Sequence, residues 1–291
     1  MKKDKVIVIL GQTATGKSNL AIRIAKKFNG EIISADSRQV YTGLDIGSGK
    51  ITKKEMRGIP HYLLNVASPK KKFTVALYKK LAEEKIQEII TRGKIPIICG
   101  GTGFYIDAIT KGIIFPEVPP NKKLRKILEE KSEEELFKIL TKIDRNRANN
   151  IKEKNEQKNK VRLIRAIEIV KAIGKVPKIK KRPLPYQFIK IGLFTQDIFL
   201  KEKIEKRVKK MFKAGLLKEI KTLKNKGISG KRLREFGFEY DNPTEEKVIF
   251  ETFKYAKRQM TWFKRDKDIV WFDISRKNLE KEVLSKLQKD F

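Results

Sequence analysis

Positions 11–18 read GQTATGKS and follow the apolar run VIVIL. This is the G-x-x-x-x-G-K-[ST] spacing, in which Gly11 and Gly16 let backbone N–H groups turn inward onto an anion. Gln12, Thr13, Ala14 and Thr15 form the cradle, Lys17 reaches the terminal phosphates, and Ser18 can ligand Mg2+. A protein that hydrolyses a nucleoside triphosphate needs, in addition, a carboxylate at the end of a second apolar strand to hold the metal. The candidate is Asp36, two residues beyond the run EIIS. A third run, IPIIC, leads into GGTG and carries no carboxylate. The loop therefore predicts a bound phosphate and leaves open which one.

Around Asp36 the sequence packs Ser37, Arg38, Gln39, Tyr41 and Asp45 into one loop. Donors, acceptors and an aromatic at the carboxyl end of a strand are the make-up of a substrate-reading loop. GGTGFY at 100–105 is a second Gly-rich turn after a strand, and it places Thr102 near the same crevice. The plain structural alternative for Asp36 is a helix N-cap.

The elements that must hold these residues alternate. Strands are expected at 6–10, 31–34, 95–99, 188–194 and 269–273, with helices over about 17–28 and 73–92 among them. Such alternation, joined by Gly-rich turns, predicts a parallel α/β sheet. From 121 to 174 the period is helical throughout, with Pro/Gly clusters at both ends and no strand candidate. The expected fold class is α/β, a P-loop-type parallel sheet core with an inserted all-helical domain. Residues 1–117 and 185–291 would form the core, the latter with C-terminal helices, and 118–184 the insertion.

Charge separates the function classes. Lys and Arg number 69 against 35 Asp and Glu, a net +34. Residues 1–120 carry a net +11 and residues 121–291 a net +23. A polyanion such as nucleic acid is the natural partner, because neutralised phosphates release their counterions; the plain alternative is a Lys-rich solvated surface. The one cysteine, Cys99, excludes an intrachain disulfide and reads as core packing in a reducing compartment. MKKD is followed by too short an apolar run for a signal peptide, and no stretch reaches membrane-spanning length. A cytoplasmic protein with no membrane partner is expected.

Taken together, GQTATGKS, SADSRQVY, LDIGSGK, PHYLLNV, GGTGFYIDAI, VRLIRAIEIV and YAKRQMTWFKRD resemble the tRNA dimethylallyltransferase (tRNA isopentenyltransferase) family. They stand in the family's order over nearly the whole chain. The resemblance implies transfer of a dimethylallyl group from dimethylallyl diphosphate to N6 of adenosine 37 in tRNA, giving N6-(dimethylallyl)adenosine. The loop would then hold the donor's diphosphate. An exocyclic adenine amine is a poor nucleophile and needs a base within hydrogen-bond reach. By resemblance that base is Asp36, with Thr102 orienting the amine. Lys17, the loop N–H groups, Mg2+ through Ser18, and Arg125 would stabilise the departing diphosphate. The adenine must leave its stack, so base flipping is implied.

The partner is then the tRNA anticodon stem-loop, and the enzyme is expected to be a monomer. The resemblance gives RNA contacts to Asp36, Ser37, Arg38, Gln39, Thr102 and Arg125. It extends them to Val161, Arg162, Leu163, Ile164 and Arg165 in the insertion. Near the end it adds Arg234, Gly237, Lys257, Arg258, Gln259, Thr261, Trp262 and Lys264. Spacing supports part of this set: Arg162 and Arg165 lie three apart, opposite an apolar line of Val161, Ile164 and Ile167. Arg258, Trp262 and Arg265 form a second face at i, i+4 and i+7.

The chain departs from the family pattern at some places. Gln12 stands where proline is usual, KEKNEQKNKVRLIR replaces an HPND-type stretch, and REFGFEY replaces an IGYKE-like one. His61, the only histidine, reads as a hydrogen-bonding core or loop residue. Two other functions remain at this stage: a prenyltransferase acting on free adenosine nucleotides, and a P-loop nucleic-acid-binding ATPase or small-molecule kinase with ATP in the loop.

Overall fold

Side-chain alternation along the first apolar run decides the centre of the fold. In the computed structural model, which describes residues 3–291, Val6, Val8 and Leu10 enter one buried cluster and Ile7 and Ile9 another. A strand buried on both faces belongs inside a parallel sheet. Positions 1–2, the start of the MKKD segment, lie outside the described residues.

The chain divides into two compact units, Met1–Gly112 with Pro183–Phe291, and Ile113–Arg182. The first unit opens with β1 (Asp4–Gly11), α1 (Lys17–Lys27), β2 (Gly30–Ser34), α2 (Lys53–Met56), β3 (His61–Tyr62), α3 (Val75–Thr91), β4 (Ile95–Cys99) and α4 (Gly103–Thr110). The second unit contains β5 (Ile113–Ile114), α5 (Lys122–Glu129), α6 (Glu133–Ile143), α7 (Arg145–Glu153), α8 (Lys160–Ile173) and β6 (Lys180–Lys181). The first unit resumes with β7 (Tyr186–Phe194), α9 (Asp197–Lys213), α10 (Leu216–Asn225), α11 (Gly230–Phe236) and a 3-10 turn (Phe238–Tyr240). It ends with α12 (Glu245–Phe263), β8 (Ile269–Asp273) and α13 (Leu279–Asp290).

Six strands form a parallel sheet in the order β3-β2-β4-β1-β7-β8. The chain runs outward from β1 to β3, returns to β4 beside β1, and crosses to β7 on the other side. That reversal puts a topological switch at the carboxyl end of β1, where open α/β sheets hold their ligands. On one face α1 and α13 bury Leu20, Ile24, Val283 and Leu287 against Ile7, Ile9 and Ile97. On the other, α3 and α4 bury Tyr78, Ile86, Tyr105 and Ile109 against Val6, Val8 and Ile98.

The helical unit has its own core of Leu128, Leu136, Leu140, Ile151, Leu163, Ile167 and Val170. The expected helices over 121–174 are there. Next to them β5 and β6 pair antiparallel, Ile113 with Lys181. Two residues per strand leave no alternation to read, so this pair escaped the sequence. The α/β class with a parallel sheet is as expected. No helix among the described residues is long and apolar enough to cross a membrane.

Candidate active site

The phosphate loop leaves β1 at Gly11, whose φ of +131° and contact with the Leu193 backbone of β7 exclude any side chain. The turn ends at Gly16, the left-handed N-cap of α1. The first turn of α1 carries no acidic residue, so its unpaired N–H groups and dipole meet an anion unopposed. Thr13, Ala14, Gly16, Lys17 and Ser18 line a crevice of about 250 Å3. Lys17 Nζ donates to the Gln12 carbonyl at 2.6 Å. Desolvation pushes the Lys17 ammonium down to about 8; Cys99 and Asp36 oppose the fall and Arg207 assists it.

Gln12 and Thr15 point elsewhere. Thr15 bonds back to the Gln12 carbonyl at 2.7 Å, and Gln12 Oε1 accepts the Thr195 N–H at 3.2 Å. Both side chains brace the loop, and the amide at position 12 ties it to the end of β7.

Asp36 lies just past β2, in the same crevice. Its Oδ1 accepts the backbone N–H groups of Arg38 at 2.8 Å and Gln39 at 3.2 Å. Oδ1 thus closes a turn at residues 37–40, and no helix follows for Asp36 to cap. Oδ2 has no hydrogen-bond partner among the described residues. Thr102 Oγ1 accepts the Ser37 N–H at 3.0 Å, and the Thr102 N–H donates to the Ala35 carbonyl at 3.1 Å. Thr102 thereby fixes the Asp36–Ser37 turn from behind. Gly100 makes this possible, since a Cβ there would collide with the Ala35 backbone.

Three further side chains complete the crevice; Arg207 and Tyr255 were not singled out from the sequence, and Glu239 only as the end of the stretch Arg234–Glu239 that the resemblance gives to RNA. Glu239 and Tyr255 surround Arg38: Arg38 Nη1 meets Glu239 Oε2 at 2.5 Å, and the Arg38 guanidinium lies 5.7 Å from the Tyr255 ring. Burial works against the Arg38 charge, yet Glu239, Tyr255 and Asp36 hold its pKa above the ordinary value. Burial raises the Glu239 carboxyl against the pull of Arg38 and Arg207, and carries the Tyr255 hydroxyl up to about 12. Arg207, on α9, lines the crevice with no hydrogen bond or ion pair among the described residues. Burial lowers its pKa, against Asp36 and Glu239. In the sequence Arg207 is one cation in the run EKRVKKMFK, and nothing separates it from a solvated helix face.

Cys99 sits on the crevice floor, and burial raises its thiol to about 11, which keeps it protonated. His61 Nδ1 donates to the Ile59 carbonyl at 2.8 Å, consistent with a structural histidine.

The implied RNA-contact residues fall into groups. Gly237 has a φ of +124° and faces the Arg38 guanidinium, which a Cβ would strike; Arg234 is exposed on α11. Lys257, Thr261 and Lys264 line a second cavity of about 580 Å3 with Gln12, Thr195 and Trp271. Gln259 faces inward, 5% exposed. The i, i+4, i+7 face needs a correction. Helix α12 ends at Phe263, so Arg265 lies beyond it, and its guanidinium folds over the Trp262 ring at 5.7 Å. Trp262 is half-buried and donates Nε1–H to Asp107 at 3.1 Å, while Arg258 is exposed.

In the helical unit Leu163 and Ile164 are core, and Arg162 pairs with Glu156. Val161 does not belong to the apolar line. It is 78% exposed, because it lies in the first turn of α8, ahead of the packed stretch. Arg125 Nε and Nη2 fork onto Glu168 at 2.8 Å each, and Arg165 Nη1 joins them at 2.6 Å.

The site's donor set bears on a metal. Among the described residues no three His, Cys, Asp or Glu side chains gather as a cage. Hard donors in the crevice include the Ser18 hydroxyl and the Asp36 carboxylate, while the Glu239 carboxylate is paired with Arg38. Mg2+ characteristically keeps several waters and binds through one or two protein oxygens plus substrate phosphates. The residues present fit Mg2+ of that kind.

A family model described as IPP transferase matches residues 39–266. The tRNA dimethylallyltransferase of Anoxybacillus flavithermus is 39% identical over 94% of this chain and 91% of its own length. Among solved structures, the tRNA isopentenylpyrophosphate transferase of Bacillus halodurans superposes with a TM-score of 0.71 at 32% identity, covering 99% of this chain and 98% of that one. A eukaryotic dimethylallyltransferase, described as acting on tRNA, superposes with a TM-score of 0.79 at 28% identity, over 97% of this chain and 77% of that one.

Proposed function

Since the chain belongs to the IPP transferase family, we propose that it moves a dimethylallyl group from dimethylallyl diphosphate to N6 of adenosine 37 in tRNA. One observation carries the reading. A single crevice puts the unengaged oxygen of Asp36 beside an anion cradle holding Lys17 and Arg207. A base and a diphosphate clasp are what an allylic transfer to an amine requires.

The chemistry follows from these residues. The N6 lone pair attacks the allylic carbon while the carbon–oxygen bond to the diphosphate breaks, its electron pair leaving on the diphosphate oxygen. Asp36 Oδ2 takes the N6 proton as the amine's positive charge develops. Oδ1 stays on the Arg38 and Gln39 N–H groups, so the carboxylate keeps its orientation. Thr102 holds the turn that carries it. Lys17, Arg207 and the N-terminus of α1 meet the charge that builds on the leaving group. When Mg2+ is bound, the Ser18 hydroxyl would hold it, and its charge would stabilise the leaving diphosphate.

The excess of cations, net +34, supports a long RNA acceptor over a free nucleotide. In this reading Arg162, Arg234, Arg258, Lys257 and Lys264 engage the anticodon stem-loop, and the enzyme acts as a monomer in the cytoplasm. The test is a mixture of the protein, Mg2+ and dimethylallyl diphosphate with an anticodon stem-loop RNA carrying adenosines at 36 to 38, and separately with AMP. Mass spectrometry should find one five-carbon unit on the RNA alone. Prenylated AMP would move the acceptor to free nucleotides, and ATP hydrolysis with no transfer would return the loop to a nucleotide.

A further inference from the structure

Two Gly-rich turns meet in the crevice, and one side-chain amide spans them. Gln259 Oε1 accepts the Thr13 N–H of the phosphate loop at 2.8 Å. Gln259 Nε2 donates to the Gly101 carbonyl at 2.9 Å. Gly101 immediately precedes Thr102, which fixes the Asp36 turn. A Cβ at position 101 would occupy the place of Nε2. The amide is buried, with its acceptor and its donor both engaged.

From this geometry we infer that Gln259 is a positioning residue, setting the spacing between the loop that carries the prenyl donor and the turn that carries the base. The inference rests on the transfer reaction proposed above. Its logic is chemical. The carboxamide is the side-chain group that presents a donor and an acceptor at one end in the fork that a backbone N–H and a backbone carbonyl require. Burying it costs free energy unless both are used. A core residue that only filled space would be apolar, and a residue reading RNA would present its polar end outward. In-line attack demands reacting atoms about 3–3.5 Å apart, and a shift of about 1 Å costs on the order of a hundredfold in rate. The donor lies on one side of this amide and the base on the other, so the amide controls the rate of chemistry and neither binding step.

The experiment compares full-length wild type with Gln259→Glu and Gln259→Met. Glutamate keeps the acceptor for Thr13 and sets an oxygen against the Gly101 carbonyl, while methionine fills the volume and serves neither partner. The readouts are the single-turnover transfer rate at saturating dimethylallyl diphosphate and stem-loop RNA, the affinity for each, and the melting temperature. Both variants should lose transfer rate, roughly tenfold or more, with both affinities within about twofold of wild type. Gln259→Glu should keep the donor affinity even where Gln259→Met melts earlier.

A transfer rate equal to wild type in a folded variant overturns the inference. So does a defect confined to RNA affinity, which would make Gln259 an RNA contact. If wild type transfers nothing to RNA, the transfer reading falls and this inference falls with it. A wild type that transfers beside variants that match it overturns the inference alone.

Discussion

The Arg38 guanidinium and the Glu239 carboxylate meet at 2.5 Å inside the crevice, and the backbone N–H of Arg38 donates to Asp36 Oδ1. The residue that helps aim the base is therefore anchored through its own side chain. Glu239 is 7% exposed, so loss of Arg38 leaves a buried acid without its ion-pair partner. Arg38→Met should lower stability by about 3 kcal/mol, and adding Glu239→Gln should return part of that. Urea unfolding of the two single variants and the double gives the coupling. Additive losses would mean that the pair is not an energetic unit.

Asp36→Asn separates the two jobs of this side chain. The amide oxygen can still accept from Arg38 and Gln39, so the turn should persist, while the second position can no longer take a proton. Transfer should fall by roughly 10^2–10^4-fold, with stem-loop affinity and melting temperature close to wild type. Transfer that survives unchanged would remove Asp36 from the chemistry.

Lys17 gives the site a pH signature. Its ammonium lies at about 8 instead of 10.5, chiefly through desolvation. A diphosphate beside it favours the charged form and raises the pKa again. Below about pH 8 the charge is already present, and donor binding takes up no proton at Lys17. Above it each bound diphosphate must bring a proton, so affinity weakens as pH rises, by up to about tenfold per unit. Without ligand the sign runs the other way: between about 8 and 10.5 the unfolded chain holds a proton that the folded chain has released, and stability rises with pH. Calorimetry with dimethylallyl diphosphate in two buffers of different ionisation enthalpy should show proton uptake growing from pH 7.5 to 9 and vanishing in Lys17→Arg.

What could be read in advance follows from how local each signal is. GQTATGKS carries its own geometry in eight consecutive residues, and Asp36 and Thr102 stand just beyond apolar runs that can only be strand ends. Both kinds of signal survive without a fold. Arg207, Glu239 and Tyr255 enter the crevice from α9, a 3-10 turn and α12, which tertiary packing alone assembles. Their neighbours in sequence are charged and aromatic residues of the same types, so no spacing marks them out. The same limit explains Val161 and Arg265. Helical periodicity predicts which residues share a face, but not where the helix ends or where its partner stops covering it. Gln259 was legible as part of YAKRQMTWFKRD, and its inward direction was not.

In the helical unit the decisive group is Glu168, which is 2% exposed. It accepts the Asn121 N–H at 2.6 Å, both arms of the Arg125 fork, and Arg165. Burial disfavours its charge, but these partners more than offset that and hold the carboxyl at about 2 instead of 4.5. A depressed carboxyl stabilises the fold above its unfolded pKa and loses that contribution as pH falls through the folded one. The window is therefore about 4.5 down to about 2, and the contribution is on the order of 3 kcal/mol. In Glu168→Gln the loss should already be complete at neutral pH, with two guanidinium groups left facing an uncharged amide. Hydrogen exchange on the full-length chain should show α5 and α8 less protected in the variant at pH 7, with the difference closing as wild type is taken toward pH 2. A constant difference across that range would mean that Glu168 acts through packing rather than charge.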